Sequence, residues 1–327
     1  MKAESIGHGL DHVNVLVKDL EAAMSFFSDV FGSKFIGPID HRPYGFPLRV
    51  AFDNVGFALQ SPTSPDSTLA RQIDEHGEGV GCIGVRVSNI EEGVAELKAK
   101  GLRPVPIAPG KPDIAELPGL KSASFTGENA FGVQLELVEY DTFVPVVIGN
   151  MVWLPDLPWF KRSPNPLMRV EGIDHIHVLV KDENLEAACS FFSSVFGSKF
   201  ILIDHRTHGF PFRVAFDNAG LELQAPLLEM PLFAQELDER GEGVGRIGFN
   251  VSNIEEMAGR LAAKGVKPSM PLPPLGEPLV GLPGLKAGLF SGEGAFGVPL
   301  ELVEYDALRP IAIAHLGRIP ELPWFKG

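Results

Sequence analysis

The feature that most limits how this chain can fold is that one domain-length unit is written twice. YGFPLRVAFDN at 44–54 returns as HGFPFRVAFDN at 208–218, with nine of eleven residues identical. SFFSDVFGSKFI returns as SFFSSVFGSKFI, and LPGLKSASFTGENAFGVQLELVEYD returns as LPGLKAGLFSGEGAFGVPLELVEYD. Even LPDLPWFKR, which closes the first copy, comes back as IPELPWFKG at residues 319–327. The copies stay 163–165 residues apart, a period far longer than the roughly 20–50 residues of a solenoid repeat. A tandem duplication is the consequence. It gives an N-terminal domain over 1–162, a linker over 163–171 whose SPNP prolines discourage regular structure, and a C-terminal domain over 172–327. Each copy is long enough to bury a core of its own.

Within a copy, hydrophobic periodicity alternates between strand and helix. His12–Val17 alternates as a strand, and Asp19 is placed to cap a helix with Leu20, Met24, Phe27 and Phe31 on one face, ended by Gly32. Short strands are expected around Phe35–Ile39, Arg49–Asp53 and Phe57–Gln60. CIGVRVS then reads as a strand, with Ser88 and Glu91 as a capping box for a helix carrying Ile90, Val94 and Leu97. Strands near Pro104–Ile107, Ser122–Thr126 and Val133–Tyr140 complete the copy. Each copy thus reads as βαβββ written twice, an α+β unit of eight strands and two helices.

Charge and cysteine content narrow the partners. A net charge of −14 argues against nucleic acid and against an anionic membrane, since both recruit a basic patch. Cys82 and Cys189 fall at non-equivalent positions of the two copies, so no disulfide framework is implied. The sequence shows no signal peptide and no apolar run of membrane-spanning length. The expectation is a cytoplasmic protein acting on a small-molecule substrate, as a monomer or a homodimer.

One strand per copy carries what a buried strand ordinarily avoids. GIDHIHVLV at 172–180 places His175 and His177 two residues apart, hence on one face. Its counterpart GLDHVNVLV keeps His12 and replaces the second imidazole with Asn14.

The order of elements, together with D-H-I/V-x-V-L-V, F-F-x-x-V-F-G, G-V-x-x-I-G-V/F-x-V-S-N-I-E-E and L-E-L-V-E-Y, resembles the vicinal oxygen chelate superfamily. That superfamily includes glyoxalases, methylmalonyl-CoA epimerase, extradiol dioxygenases and bleomycin-resistance proteins. The resemblance covers nearly the whole chain, twice. It implies two tandem vicinal oxygen chelate domains, each a pair of βαβββ modules forming an open barrel around a cleft. It also implies a divalent metal (Fe, Mn, Zn, Ni or Co) held by side chains of the first, fourth, fifth and eighth strands.

In the second copy the resemblance assigns His175, Glu222 and Glu301 as metal ligands. Imidazole and carboxylate are natural donors for such ions. The fifth-strand position, usually histidine in metal-binding relatives, is Arg246. Being permanently protonated, it cannot ligate: it either neutralises Glu222 and Glu301 or holds an anionic substrate. His177, on the face of His175, is a second ligand or an acid/base group. In the first copy the matching residues are His12, Ala58, Cys82 and Glu136, so His12, Cys82 and Glu136 form at most a degenerate second site.

Other segments carry two readings. In the DHR-x-x-GFP-x-RVAFDN stretch, His205, His208 and Arg213 rim the C-terminal pocket and bind substrate, with His41, Tyr44 and Arg49 doing so in the first copy. Otherwise the stretch is a turn in which Arg213 pairs with Asp217. Asn250 shares the cleft face with Arg246. The Pro/Gly-rich loops at 111–121 and 271–286 read as lids, and the LPWFK tails as anchors between the domains. The function expected is metal-dependent isomerase, epimerase or lyase chemistry on a small oxygenated substrate, with His177 as acid/base and Arg246 as a carboxylate clamp. The alternatives are an Fe(II) extradiol-type or keto-acid dioxygenase, and a metal-free small-molecule binding or resistance protein.

Overall fold

Two curled sheets of seven strands each, one per sequence copy, carry the molecule. A computed structural model describes residues 7–53, 55–105, 120–140, 172–197, 199–204, 211–217, 220–227, 231–269 and 285–305. The first sheet contains β1 (Gly7–Leu16), β2 (Phe35–Asp40), β3 (Leu48–Asp53), β4 (Phe57–Pro62), β5 (Gly79–Val87), β6 (Leu120–Phe125) and β7 (Leu135–Tyr140). Their spatial order is β2-β3-β4-β1-β5-β7-β6. The second sheet contains β8 (Gly172–Leu179), β9 (Phe200–Asp204), β10 (Phe212–Asp217), β11 (Leu221–Pro226), β12 (Gly243–Asn250), β13 (Leu285–Phe290) and β14 (Leu300–Tyr305). It repeats the order as β9-β10-β11-β8-β12-β14-β13. In each half the two modules meet along one antiparallel central pair, β1–β5 or β8–β12.

The expected eight strands per copy become seven among the described residues. The segment from Pro104 contributes only an isolated bridge to Phe125, and Pro268 does the same to Phe290. Proline has no N–H to extend a ladder. The described residues form three α-helices per half rather than two. α1 (Leu20–Phe31) and α3 (Ile90–Ala99) were expected; α2 (Thr68–His76) was not, and α4 (Leu185–Phe196), α5 (Pro231–Arg240) and α6 (Ile254–Ala263) match them in order. α2 hides behind the turn-rich SPTSPDS, where Ser67 caps it by accepting from the Ala70 N–H. Asp19 caps α1 through the Ala22 N–H and Gly32 ends it at φ 68. α3 corrects the capping-box reading. Its N-cap is Asn89, whose side chain accepts from Glu91 and Glu92, while Glu139 takes the Ile90 N–H.

One core runs through both halves. Val13, Val15, Phe27, Ile83 and Leu137 of the first half are continuous with Ile176, Val178, Phe192, Ile247 and Phe249 of the second. The seam has approximate two-fold symmetry, as an isologous dimer would. Phe26 packs edge-on against Phe296, and the equivalent Phe191 against Phe131. Both AFG turns press the other half: a Cβ on Gly132 would overlap the Glu242 carbonyl, and one on Gly297 the Glu78 carbonyl. The cleft side of each sheet faces away from this seam and carries the polar residues.

Candidate metal centre

Ile176 and Val178 of β8 enter the shared core, so the alternation turns His175 and His177 to the concave side. Register then selects their neighbours. His177 stands beside Glu222 of β11 and Arg246 of β12. His175 stands beside Gly248, and Gly248 beside Glu301 of β14. That glycine is clearance for the ring, because an added Cβ would overlap the His175 imidazole. The first half keeps the device. A Cβ on Gly84 would lie 2.6 Å from the His12 ring.

The four side chains converge. One donor atom from each of His175, His177, Glu222 and Glu301 lies within 4.8 Å of the others, and all four residues are largely buried. The two Nε2 atoms are 2.9 Å apart. His175 Nε2 is 3.3 Å from Glu301 Oε2 and 3.4 Å from Glu222 Oε2. His177 Nε2 contacts Glu301 Oε2 directly, and its Nδ1 lies 3.3 Å from Glu222 Oε1 without hydrogen-bond geometry. His175 Nδ1 is held by Asp174 at 2.9 Å, so Nε2 is presented to the cluster.

Without a cation these groups satisfy one another only by sharing protons. Burial lowers His177 to about 4, against the pull of Glu301. Burial raises Glu222 to about 8, with His175 opposing and Glu301 adding. Against burial, His177 and His175 hold Glu301 below the usual carboxylate range. Burial opposes the charge of His175 too, but Asp174 and Glu301 keep it well above the ordinary value. Two imidazoles and two carboxylates whose lone pairs meet at one point fit a divalent first-row ion. His177 therefore belongs to the same donor group as the three residues assigned from sequence, although it lies on the same strand as His175.

Arg246 does not lock the acids. Its guanidinium packs 4.3 Å from the centroid of the Phe233 ring and donates from Nη2 to Glu236 of α5 at 3.1 Å. Arg246 is 2% exposed, and its Nε and Nη1 find no hydrogen-bond partner among the described residues. Asn250, beside Val303 on the same strand, likewise has an unpartnered buried Nδ2. Glu236 and Phe233 escaped the sequence reading. The signal was present in the repeat, since Gln72, Leu69 and Cys82 stand where the second copy has Glu236, Phe233 and Arg246.

In the first half the corresponding cluster is closed by an amide. Asn14 Nδ2 donates to Glu136 at 2.8 Å and Cys82 Sγ at 2.9 Å, and lies 3.2 Å from His12 Nε2. Gln60 donates to the Asn14 carbonyl. Ala58 stands beside Asn14, where Glu222 stands beside His177. Burial would lower His12, but Asp11 and Glu136 outweigh it and raise it to about 10. Burial and the Glu136 charge push the Cys82 thiol well up. A protonated thiol is a poor ligand, and the Asn14 amide stands where the second half offers the His177 imidazole.

The remaining residues divide. Arg213 leaves the cleft and pairs with Asp182 at 2.6 Å and Glu186 at 2.7 Å, rather than with Asp217. Asp217 holds a turn by accepting from the Gly220 and Leu221 N–H groups. Asp53 does this for Val55, Gly56 and Phe57, so the most faithfully copied stretch repeats a structural turn. Arg49 pairs with Glu21, while His41 lines the first cleft with Tyr44 edge-on to it. His205, His208, the LPWFK tails and most of both loops lie outside the described residues.

With this geometry in place, comparison with known proteins defines the class. Models of the Glyoxalase/Bleomycin resistance protein/Dioxygenase superfamily match residues 11–116 and 172–278. The chain belongs to that superfamily, as two tandem domains. Among individual proteins it is 33% identical to the mitochondrial methylmalonyl-CoA epimerase of Bos taurus over 98 residues, 29% of this chain and 55% of that protein. The Mus musculus enzyme matches at 33% over 98 residues, 29% of this chain and 54% of its own. The chain thus spans about half the length of these curated relatives. A mutant of 4-hydroxymandelate synthase from Streptomyces coelicolor aligns with TM-score 0.62 and 16% identity, covering 93% of this chain and 94% of that one. That likeness is one of fold.

Proposed function

We propose that this chain is a divalent-metal-dependent enzyme whose C-terminal half moves a proton next to a carbonyl group of a small oxygenated substrate, as an isomerase, epimerase or lyase. The observation that carries the reading is the convergence of His175, His177, Glu222 and Glu301 within 4.8 Å in a buried cleft. A divalent ion, when bound, would supply Lewis-acid polarisation of the substrate oxygen. His175, His177 and Glu301 would hold it, with Asp174 fixing the His175 ring. His177, expected from sequence as the acid/base, stands among the ion's donors and is then not free to carry a proton. Glu222, whose carboxyl group burial raises, takes that task instead. As a carboxylate it would take the proton next to the carbonyl, and as the acid so formed it would return it. Arg246 Nε and Nη1, unused by the protein among the described residues, hold a substrate carboxylate.

A second reading rests on the same donors. Two imidazoles and one carboxylate around a point, here His175, His177 and Glu301, are also what non-haem Fe(II) oxygenases use. One experiment separates the two. Purified protein is analysed for metal, then incubated in D2O with a panel of small carbonyl acids and thioesters while exchange of the C–H next to the carbonyl is followed by proton NMR. Chelator-sensitive exchange, lost in Glu222→Gln with metal retained, is the expected result. Iron content with substrate-dependent oxygen uptake and no exchange would transfer the assignment to the dioxygenase reading. Full turnover in metal-free protein would overturn both.

A further inference from the structure

The first-half cleft is not a collapsed copy of the second. It encloses about 370 Å3, within the roughly 300–1,000 Å3 of small-molecule sites. Cys82, Gln72 and Leu69 all line it. In the second half their places are taken by Arg246, Glu236 and Phe233, a guanidinium stacked on a ring and paired with a carboxylate. The first half has therefore opened the volume that this trio fills.

Its floor has been rewired rather than stripped. Asn14 donates to Cys82 and Glu136, lies 3.2 Å from His12 Nε2 and is itself held by Gln60, so an amide stands at the meeting point of these side chains. His12 and Glu136 remain as an ion pair at 3.5 Å, with the two side chains 6% and 16% exposed. A buried ion pair seldom repays its desolvation in stability, and a non-functional cleft would be expected to replace it with packed apolar side chains. The wall is mainly apolar, with Phe46, Phe52 and Phe125, and among the described residues the lining contains no lysine or arginine.

We infer that the N-terminal cleft is a ligand site in its own right, metal-independent, for an uncharged, flat, largely apolar molecule bearing hydroxyl or carbonyl groups. Rings would pack on the phenylalanine wall, and the polar groups would reach the amides of Gln60, Gln72 or Gln134 and the Ser122 and Ser124 hydroxyls. The inference is independent of the metal reading, because it concerns the other half and needs no ion.

The test uses the full chain, treated with EDTA, and 2-naphthol as probe, followed by calorimetry. Saturable binding of one naphthol per chain is expected, unchanged when metal is restored. The variant Leu69→Phe/Gln72→Glu/Cys82→Arg transplants the trio of the second half and should weaken binding at least about tenfold while the melting temperature stays near that of the wild type. If that variant fails to fold, Val50→Phe adds a ring at another lining position and should weaken binding likewise. Equal affinity in a folded cavity-filled variant, or no saturable binding to wild type, overturns the site. Equal affinity for 2-naphthoate or for naphthylmethylammonium overturns the uncharged class.

Discussion

The two halves share strand order, the register of the central strands and the glycine that clears the first histidine, yet they differ at a set of cleft positions, among them Ser122, Ser124 and Gln134, which are Ala287, Leu289 and Pro299 in the second copy. His177 and Glu222 of the second half are Asn14 and Ala58 in the first. Arg246, Glu236 and Phe233 are Cys82, Gln72 and Leu69. The changes come in groups because buried polar atoms must be satisfied together. An arginine at 246 is tolerable only with a carboxylate and a ring in reach, and the loss of one imidazole is made good by an amide that donates to the groups left behind. The fold therefore accepts either set of cleft residues. The first half closes its set with an amide, while the second leaves Arg246 Nε and Nη1 without a partner among the described residues.

The largest expected effect breaks the comparison outright. Glu301→Gln should reduce bound metal from stoichiometric to background, while Glu136→Gln, at the equivalent strand position, should leave metal content unchanged. Elemental analysis of the two purified variants beside wild type decides it. Loss of metal in Glu136→Gln would place the ion in the wrong half.

The next effect tests the trio. Glu236→Gln leaves Arg246 buried beside two acids without its partner, and breaking a buried pair costs about 3–5 kcal/mol. Denaturant unfolding should show a loss of that order. The combined variant Phe233→Leu/Glu236→Gln/Arg246→Cys, which copies the first half, should recover most of it. A combined variant no more stable than Glu236→Gln alone would mean that the trio does not act as a unit.

Much of this was legible in the sequence because a duplicated chain carries its own internal control. The repeat and its alternating periods point to two α+β domains, and the paired histidines in GIDHIHVLV point to the cleft face of β8. What the sequence could not show was distance. That His177 joins the donors, rather than serving beside them, depends on how far the sheet curls at β8, which no spacing encodes. α2 was missed because it follows the turn-rich SPTSPDS, and with it went its counterpart α5, so the helix that supplies Glu236 was absent from the reading. The RVAFDN end of the copied stretch carries a demand common to both halves, since Asp53 and Asp217 each hold a backbone turn. Its other end bears on the cleft, where His41 and Phe46 stand in the first-half lining.

A smaller effect should be the same in both halves, and so sharpens the comparison from the other side. Gly84→Ala and Gly248→Ala each drive a Cβ into an imidazole ring, and overpacking of this kind costs about 1–3 kcal/mol. Equal losses would show that ring clearance is a property of the fold. A loss confined to Gly248→Ala would tie the glycine to the metal centre instead.

The smallest signal is a difference between two pH profiles, and it probes the rewired floor of the first half. His12 is raised from 6.5 to about 10 because Asp11 and Glu136 outweigh its burial. A folded-state pKa above the unfolded value means that the cationic form stabilises the native state. That contribution is complete below about 6.5 and is lost as pH rises toward 10. The titratable groups facing the ring are Asp11, Glu136 and Cys82; Cys82 is itself pushed well up, so it adds no charge at neutral pH. The stability gap between wild type and His12→Gln, measured by urea unfolding from pH 6 to pH 9.5, should be widest at the acid end and narrow steadily on the alkaline side. A gap that is flat, or that widens with pH, would mean His12 is neutral in the native state. The ion pair would then be absent from the native state.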